Sequence, residues 1–197
     1  MVWKNDQVSE LETEKILSVA RESLAAEGDF VEFGCYKGDT ALLLAEILKD
    51  GCGKVCGKLS RRLWLYDSFE GLPEKSASDV SALGEDFRAG ELFVTKREVK
   101  ERFLRAGLPV PVIKKAWFRD LAEADLPEKI CFAFLDGDFY ESIRDSLGLV
   151  SGRMSDGGVI IVHDYGNPAL PGVKKAVDEW LRGRDLETYK SLAIIKY

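Results

Sequence analysis

Acidic residues follow the apolar runs of this chain more regularly than turn chemistry requires. Asp67 closes the run at 63–66, Asp136 and Asp138 follow Ile130–Leu135, and His163-Asp164 follows 159–162. Glu32 stands just ahead of a glycine loop, Gly34-Cys35-Tyr36-Lys37-Gly38, which leads into Asp39 and Thr40. If the runs are neighbouring strands, about 4.8 Å apart, then Asp136, His163 and Asp164 converge on one cation. Without a cation, these acids and an imidazole in one crevice would repel one another or shift their pKa values. His163 is the chain's single histidine. A lone histidine is more often structural, but this one sits between an apolar run and an aspartate, which favours a ligand role. Asp136 and Asp138 also have a plain reading as turn and helix-cap residues.

The glycine loop lacks both the G-x-G-x-x-G of a dinucleotide site and the Gly-Lys-Ser/Thr of a P-loop. Glycines four apart still allow a tight turn and close approach of backbone to a ligand; strand–helix packing alone would use them equally well. Glu32 would repel a pyrophosphate and suit a cationic group such as a sulfonium or an amine. Asp67 stands where a carboxylate accepts from two ribose hydroxyls. Together these favour S-adenosylmethionine over NAD, with Glu32, Gly34, Tyr36, Gly38, Thr40, Asp67 and Ser68 as the candidate cofactor-binding residues.

Such residues need a scaffold that brings strand ends together. Helical and strand-like segments alternate, which predicts an α/β fold with a mostly parallel sheet. Ser9 and Glu12 read as a capping box for a helix with Leu17, Ala20 and Leu24 on one face, stopping at Gly28. Residues 30–33 read as a strand, 39–48 as a helix ended by Gly51 and Gly53, and 63–66 as a second strand. Residues 70–93 read as a long active-site loop or lid. Thr95 and Glu98 make another capping box, opening a helix to Ala106, and 110–114 reads as a strand. Ile130–Leu135 is a continuous apolar run, as in the buried strand of a parallel sheet. A helix with Ile143, Leu147 and Val150 on one face follows, then a strand at 159–162. Pro171 opens a helix faced by Val173, Val177 and Trp180. A final strand at 192–197 pairs with 186–189 across Lys190-Ser191. Residues 1–197 read as one domain, with 1–28 as an N-terminal helical segment.

Composition narrows the function. With 46% hydrophobic and 31% charged residues, a disordered chain or a fibre is excluded. A net charge of −6 argues against a nucleic-acid partner. The segment 94–119 nevertheless holds eight Lys or Arg against Glu98 and Glu101. It reads as a solvated helix face, with Glu98–Arg102 and Glu101–Arg105 at i,i+4 spacing, ahead of a patch for an acidic or phosphate-bearing substrate. Of the four cysteines, Cys52 and Cys56 have no second pair to complete a zinc site, and reduced thiols are expected. The longest apolar run has six residues, Ile130–Leu135, against the ~18 needed to span a bilayer. The first residues form no signal-peptide h-region, so a cytoplasmic protein without a membrane partner is expected.

Three stretches carry a family likeness. They are Val31-Glu32-Phe33-Gly34-Cys35-Tyr36-Lys37-Gly38, then Tyr66-Asp67-Ser68-Phe69-Glu70-Gly71-Leu72-Pro73, then Leu135-Asp136-Gly137-Asp138-Phe139-Tyr140-Glu141-Ser142 through Gly157-Gly158-Val159-Ile160-Ile161-Val162-His163-Asp164-Tyr165-Gly166. They resemble the macrocin O-methyltransferase family, metal-dependent sugar O-methyltransferases of antibiotic biosynthesis and their bacterial relatives. The resemblance implies a Rossmann-like class I methyltransferase fold with an antiparallel C-terminal hairpin and helices on both faces. It implies S-adenosylmethionine and a divalent ion, usually magnesium. By matched position Asp136 and Asp164 become metal ligands, Asp138 the general base, Asp67 the ribose holder, and Trp117 and Phe118 neighbours of the adenine, with Asp136 beside the cofactor. The chain departs from the family at His163-Asp164, where Asp-Asp is usual, and imidazole suits manganese, iron, cobalt or nickel better than magnesium. It is also shorter than typical members, with little room for an N-terminal lid. The implied acceptor is a small molecule or saccharide bearing a hydroxyl; a homo-oligomer stays open. Two other readings compete: a binding protein that holds S-adenosylmethionine beside a degenerate metal site, and an NAD-dependent oxidoreductase, disfavoured by the missing G-x-G-x-x-G.

Overall fold

The computed structural model describes residues 7–55, 61–83, 87–181, 183 and 185–197. The strands are β1 (Asp29–Phe33), β2 (Leu63–Asp67), β3 (Val112–Lys115), β4 (Ile130–Leu135), β5 (Met154–Val162), β6 (Glu187–Tyr189) and β7 (Leu192–Lys196). The helices are α1 (Glu10–Glu22), α2 (Asp39–Val55), α3 (Lys96–Ala106), α4 (Tyr140–Ser151) and α5 (Pro171–Leu181). One seven-stranded sheet has the order β3-β2-β1-β4-β5-β7-β6. Strands β1 to β5 pair in parallel, whereas β7 runs antiparallel to both β5 and β6.

Strand alternation builds two cores. Phe30, Phe132 and Phe134 face one side of the sheet, packed with Ile16 of α1, Leu42 and Leu44 of α2 and Phe103 of α3. Val31, Phe33, Ala133 and Leu135 face the other side, packed with Ile143 and Leu147 of α4 and Val173 and Val177 of α5. Helices therefore cover both faces, and β4 is buried along its whole length, as its unbroken apolar run requires.

Register decides where the chemistry emerges. Phe33 is aligned with Tyr66 on one side and Leu135 on the other, and Leu135 is aligned with Val162. The residues that follow each of these, Gly34, Asp67, Asp136 and His163, leave the sheet side by side at one edge.

Several local expectations need correction. Helix α2 continues through Gly51 and Gly53 to Val55; glycine costs about 1 kcal/mol in a helix but does not forbid helical angles. Helix α1 ends at Glu22, short of Gly28, and is followed by a 3-10 turn at Ser23–Ala25; it buries Ile16, Val19 and Ala20, with the expected Leu17 and Leu24 half-buried against the same core. The Ser9 capping box is half built: the hydroxyl accepts from Glu12 N–H, but Glu12 Oε1 turns to the β6–β7 turn and accepts from Ser191 N–H and Oγ–H. The Thr95–Glu98 box is complete, and Gly107 ends α3 at φ 66°. On α3, Glu101 pairs with Arg97 and Arg105, while Arg102 reaches across to Lys37 O and Asp39 Oδ1, tying that helix to the glycine loop. Strand β3 begins two residues later than expected, after Pro111.

Candidate active site

The loop after β1 is built by close backbone contacts. Gly34 has φ +83°, and a Cβ there would lie 1.9 Å from Asp136 O, so only glycine lets the β1 and β4 loops touch. Asp67 holds the same loop from the β2 side. Its Oδ2 accepts from Cys35 N–H at 3.0 Å and Tyr36 N–H at 3.1 Å, and its Oδ1 accepts from Phe69 N–H at 2.7 Å. Burial still raises its pKa, against these bonds. Asp67 is thus first a loop organiser, and it also lines the cavity described below.

Past β4 and β5 the acids converge. His163 Nδ1 lies 3.0 Å from Asp136 Oδ1 and 2.9 Å from Asp164 Oδ2. Asn167 Nδ2–H donates to the other oxygen, Asp164 Oδ1, at 2.8 Å. Asp138 and Asp164 both have φ 59°, a left-handed conformation uncommon outside glycine. Burial lowers the His163 pKa, but the Asp136 and Asp164 carboxylates outweigh it and hold the imidazole well above its usual range. Burial also raises Asp164, yet the His163 contact keeps it below the ordinary carboxylate value. Asp138 moves the other way. Burial, with the Asp136 and Asp164 charges, pushes its carboxyl well up. It caps nothing: the N-cap of α4 is Phe139, which has no side chain able to bond.

The missing cap comes from a distant segment. Asp79 is 1% exposed and lies in a 3-10 turn within residues 70–93. Its Oδ1 accepts from Tyr140 N–H at 2.7 Å, and its Oδ2 accepts from Ser76 N–H and Oγ–H. Gly172, in the first turn of α5, makes room for it: a Cβ there would lie 1.9 Å from Asp79 Oδ1.

A cavity of about 190 Å³ lies at this sheet edge. Of the expected cofactor residues it is lined by Gly34, Tyr36, Asp67, Ser68, Trp117, Phe118 and Asp136; the expected base, Asp138, and His163 and Asp164 line it too. Phe118 meets Phe33 edge-on at 5.1 Å, and Phe33 stacks on Tyr66 at 4.4 Å, so one wall rests on the core. Glu32, Gly38 and Thr40, also expected at the cofactor, are not among the residues that line the cavity. Strand alternation turns Glu32 to the α2 side of the sheet, where it is 1% exposed with Oε2 unpartnered. Gly38 faces Val99 and Phe103 of α3, and Thr40 is buried in the first turn of α2. Sequence reasoning missed Gln7, Leu72, Phe87, Leu92, Ser142 and Asn167 as lining residues. Only the apolar trio within the irregular 70–93 segment carried a signal, since apolar residues in a loop must cover something.

The strand order, the antiparallel β7 and the helices on both faces define a Rossmann-like class I methyltransferase fold. The chain belongs to the macrocin-O-methyltransferase (TylF) family, whose pattern matches residues 7–192. It is 34% identical over 163 residues to the 8-demethyl-8-(2,3-dimethoxy-alpha-L-rhamnosyl)-tetracenomycin-C 4'-O-methyltransferase of Streptomyces olivaceus, covering 80% of this chain and 59% of that protein. It is 31% identical over 166 residues to the demethyldecarbamoylnovobiocin O-methyltransferase of Streptomyces niveus, covering 78% of this chain and 58% of that protein. The chain thus spans under two thirds of the length of these relatives. Among solved structures it superposes on the O-methyltransferase NovP with a TM-score of 0.76 at 27% identity, covering 94% of this chain and 78% of that one. The fold also matches the calicheamicin methyltransferase CalS11, with a TM-score of 0.78 at 17% identity, covering 99% and 81%. No helix among the described residues is long and apolar enough to cross a membrane.

Proposed function

We propose that this chain is an S-adenosylmethionine-dependent O-methyltransferase acting on a hydroxyl of a saccharide or glycosylated natural product with the help of a divalent cation. The observation that carries the reading is the single cavity that joins the Gly34–Tyr36 loop and Asp67 to Asp136, Asp138, His163 and Asp164. One half of that cavity suits a nucleoside: a close-approach glycine loop, a carboxylate after β2, and the Trp117 and Phe118 rings. The other half suits a cation and a proton acceptor. The family and the named activities of the relatives support the same chemistry.

The residues fit both groups. Asp136, His163 and Asp164 each offer one ligand atom, and the three atoms lie within 4.8 Å of one another, a donor set of imidazole nitrogen and carboxylate oxygen that a divalent ion could share. Asp136, His163 and Asp164 would hold the ion, and Asp67, Trp117 and Phe118 would hold the nucleoside. When bound, the cofactor supplies an electrophilic methyl group and the ion supplies Lewis acidity at the acceptor hydroxyl. Asp138 is left for the proton. No group among the described residues hydrogen-bonds its carboxylate; the neighbouring carboxylates raise its proton affinity, and it lines the cavity where the acceptor must enter. Leu72, Phe87 and Leu92 add apolar walls to that cavity, and in this reading the part of the chain that carries them serves as its lid, within a single catalytic domain.

The test is calorimetry with S-adenosylhomocysteine, followed by transfer of labelled methyl from S-adenosylmethionine to a panel of rhamnosylated and other deoxysugar acceptors with magnesium or manganese. Binding and a labelled ether product are expected. Absence of nucleoside binding would overturn the reading. Binding with no product from any acceptor would leave a nucleoside-binding protein and remove the catalytic assignment.

A further inference from the structure

The side chains around the candidate cation are not equivalent, and the difference has a consequence for which ion they take. His163 presents Nδ1 to both carboxylates, so the donor facing the shared space is an imidazole nitrogen and not a third oxygen. Asp164 is restrained in a second way. Asn167 Nδ2–H occupies Oδ1, which leaves Oδ2 as the oxygen beside His163. Asn167 is itself fixed, because its Oδ1 accepts from Ala169 N–H at 3.0 Å, so its amide cannot flip without losing both bonds. All three donor atoms lie within 4.8 Å of one another.

We propose that His163 and Asn167 together set the ion selectivity of this site. It is a mixed site of one nitrogen and two single oxygens that takes manganese- or cobalt-class ions ahead of magnesium and rejects calcium. Imidazole favours transition ions over magnesium. Calcium needs six to eight oxygens and commonly a bidentate carboxylate, which the Asn167 bond denies it at Asp164. Asn167 is therefore a positioning residue that acts through Asp164. This rests on the metal-dependent reading above, but metal titration and nucleoside titration separate the two: loss of the first leaves the second intact.

The experiment uses the full chain with saturating S-adenosylhomocysteine and the chloride salts of manganese, cobalt, magnesium and calcium. Affinities are read by calorimetry, and pulsed electron paramagnetic resonance of the manganese complex reads coupling to a directly bound 14N. The wild type should bind manganese at least tenfold more tightly than magnesium, bind calcium most weakly, and show the nitrogen coupling. His163→Asp should abolish that coupling and narrow the manganese-to-magnesium ratio. Asn167→Ala should lower manganese affinity about 10–100-fold, the usual cost of losing a ligand's hydrogen-bond partner, and should raise the calcium-to-manganese affinity ratio. Circular dichroism and urea denaturation of each variant verify the fold. A manganese complex without nitrogen coupling, magnesium equal to or ahead of manganese, or an Asn167→Ala protein with wild-type ion ratios would each overturn the proposal.

Discussion

Asp79 offers the sharpest test of how the loop, the helix and the site are joined. Removing its carboxylate in Asp79→Ala deletes the acceptor for Tyr140 N–H and for the two Ser76 donors. A helix cap alone is worth about 0.5–2 kcal/mol. Here the residue is 1% exposed, so water does not replace the lost acceptor. A buried donor left unsatisfied costs about 1–3 kcal/mol. Combining the cap with one such donor gives an expected loss of about 1.5–5 kcal/mol. Gly172→Ala attacks the same contact from the other side. Its new Cβ would sit 1.9 Å from Asp79 Oδ1 and 2.9 Å from Tyr140 N and Cβ, so the carboxylate must leave. The two changes share one interaction, and the double variant should fall short of the sum of the singles by about 1–3 kcal/mol. Urea denaturation gives the stabilities, and amide hydrogen exchange at Tyr140–Ser151 localises the loss to the start of α4. Additive stabilities, or an Asp79→Ala loss below about 1 kcal/mol, would refute the latch and leave residues 70–93 held by their apolar side chains alone.

Gly34→Ala should cost about 3 kcal/mol or more, because the overlap is with backbone and the φ is positive, and calorimetry should show S-adenosylhomocysteine affinity reduced at least tenfold; wild-type affinity would mean that the β1 and β4 loops can part freely. Asp138→Asn should leave manganese and S-adenosylhomocysteine affinities in place while methyl transfer falls about 10²–10⁴-fold; a collapse of metal affinity would make Asp138 a ligand instead. Glu32 supplies a pH test, since burial and the Asp136, Asp67 and Asp39 charges raise its pKa well above normal. Above an unfolded value of about 4.3 the native state holds a proton that the unfolded chain has released, so Glu32 lowers stability by about 1.4 kcal/mol per pH unit up to its raised native pKa. Glu32→Gln should therefore gain on the wild type between pH 5 and pH 7 in urea denaturation, and an equal difference at both pH values would contradict a protonated buried Glu32.

What the sequence determined by itself was the frame and which polar side chains stand at the carboxyl edge of the sheet. Unbroken apolar runs such as Ile130–Leu135 and 159–162 have the pattern of strands in the middle of a covered sheet, and the polar residues that follow each run mark the carboxyl edge where a parallel sheet binds ligands. Asp67, Asp136, Asp138, His163 and Asp164 were legible on those grounds, as was the Thr95–Glu98 box, whose partners are three residues apart. Tertiary structure alone decided which face each side chain took and what reached it from far along the chain. Glu32 sits one residue from a strand end and looked cofactor-facing, but the two-residue period of β1 sends it to the α2 side. Asp79 lies 61 residues from the amide it caps, Glu12 lies 179 residues from the Ser191 it holds, and neither distance leaves a pattern in the sequence. Local spacing encodes local bonds, whereas contacts between loops from different strands depend on sheet register, which is set only when the whole core packs.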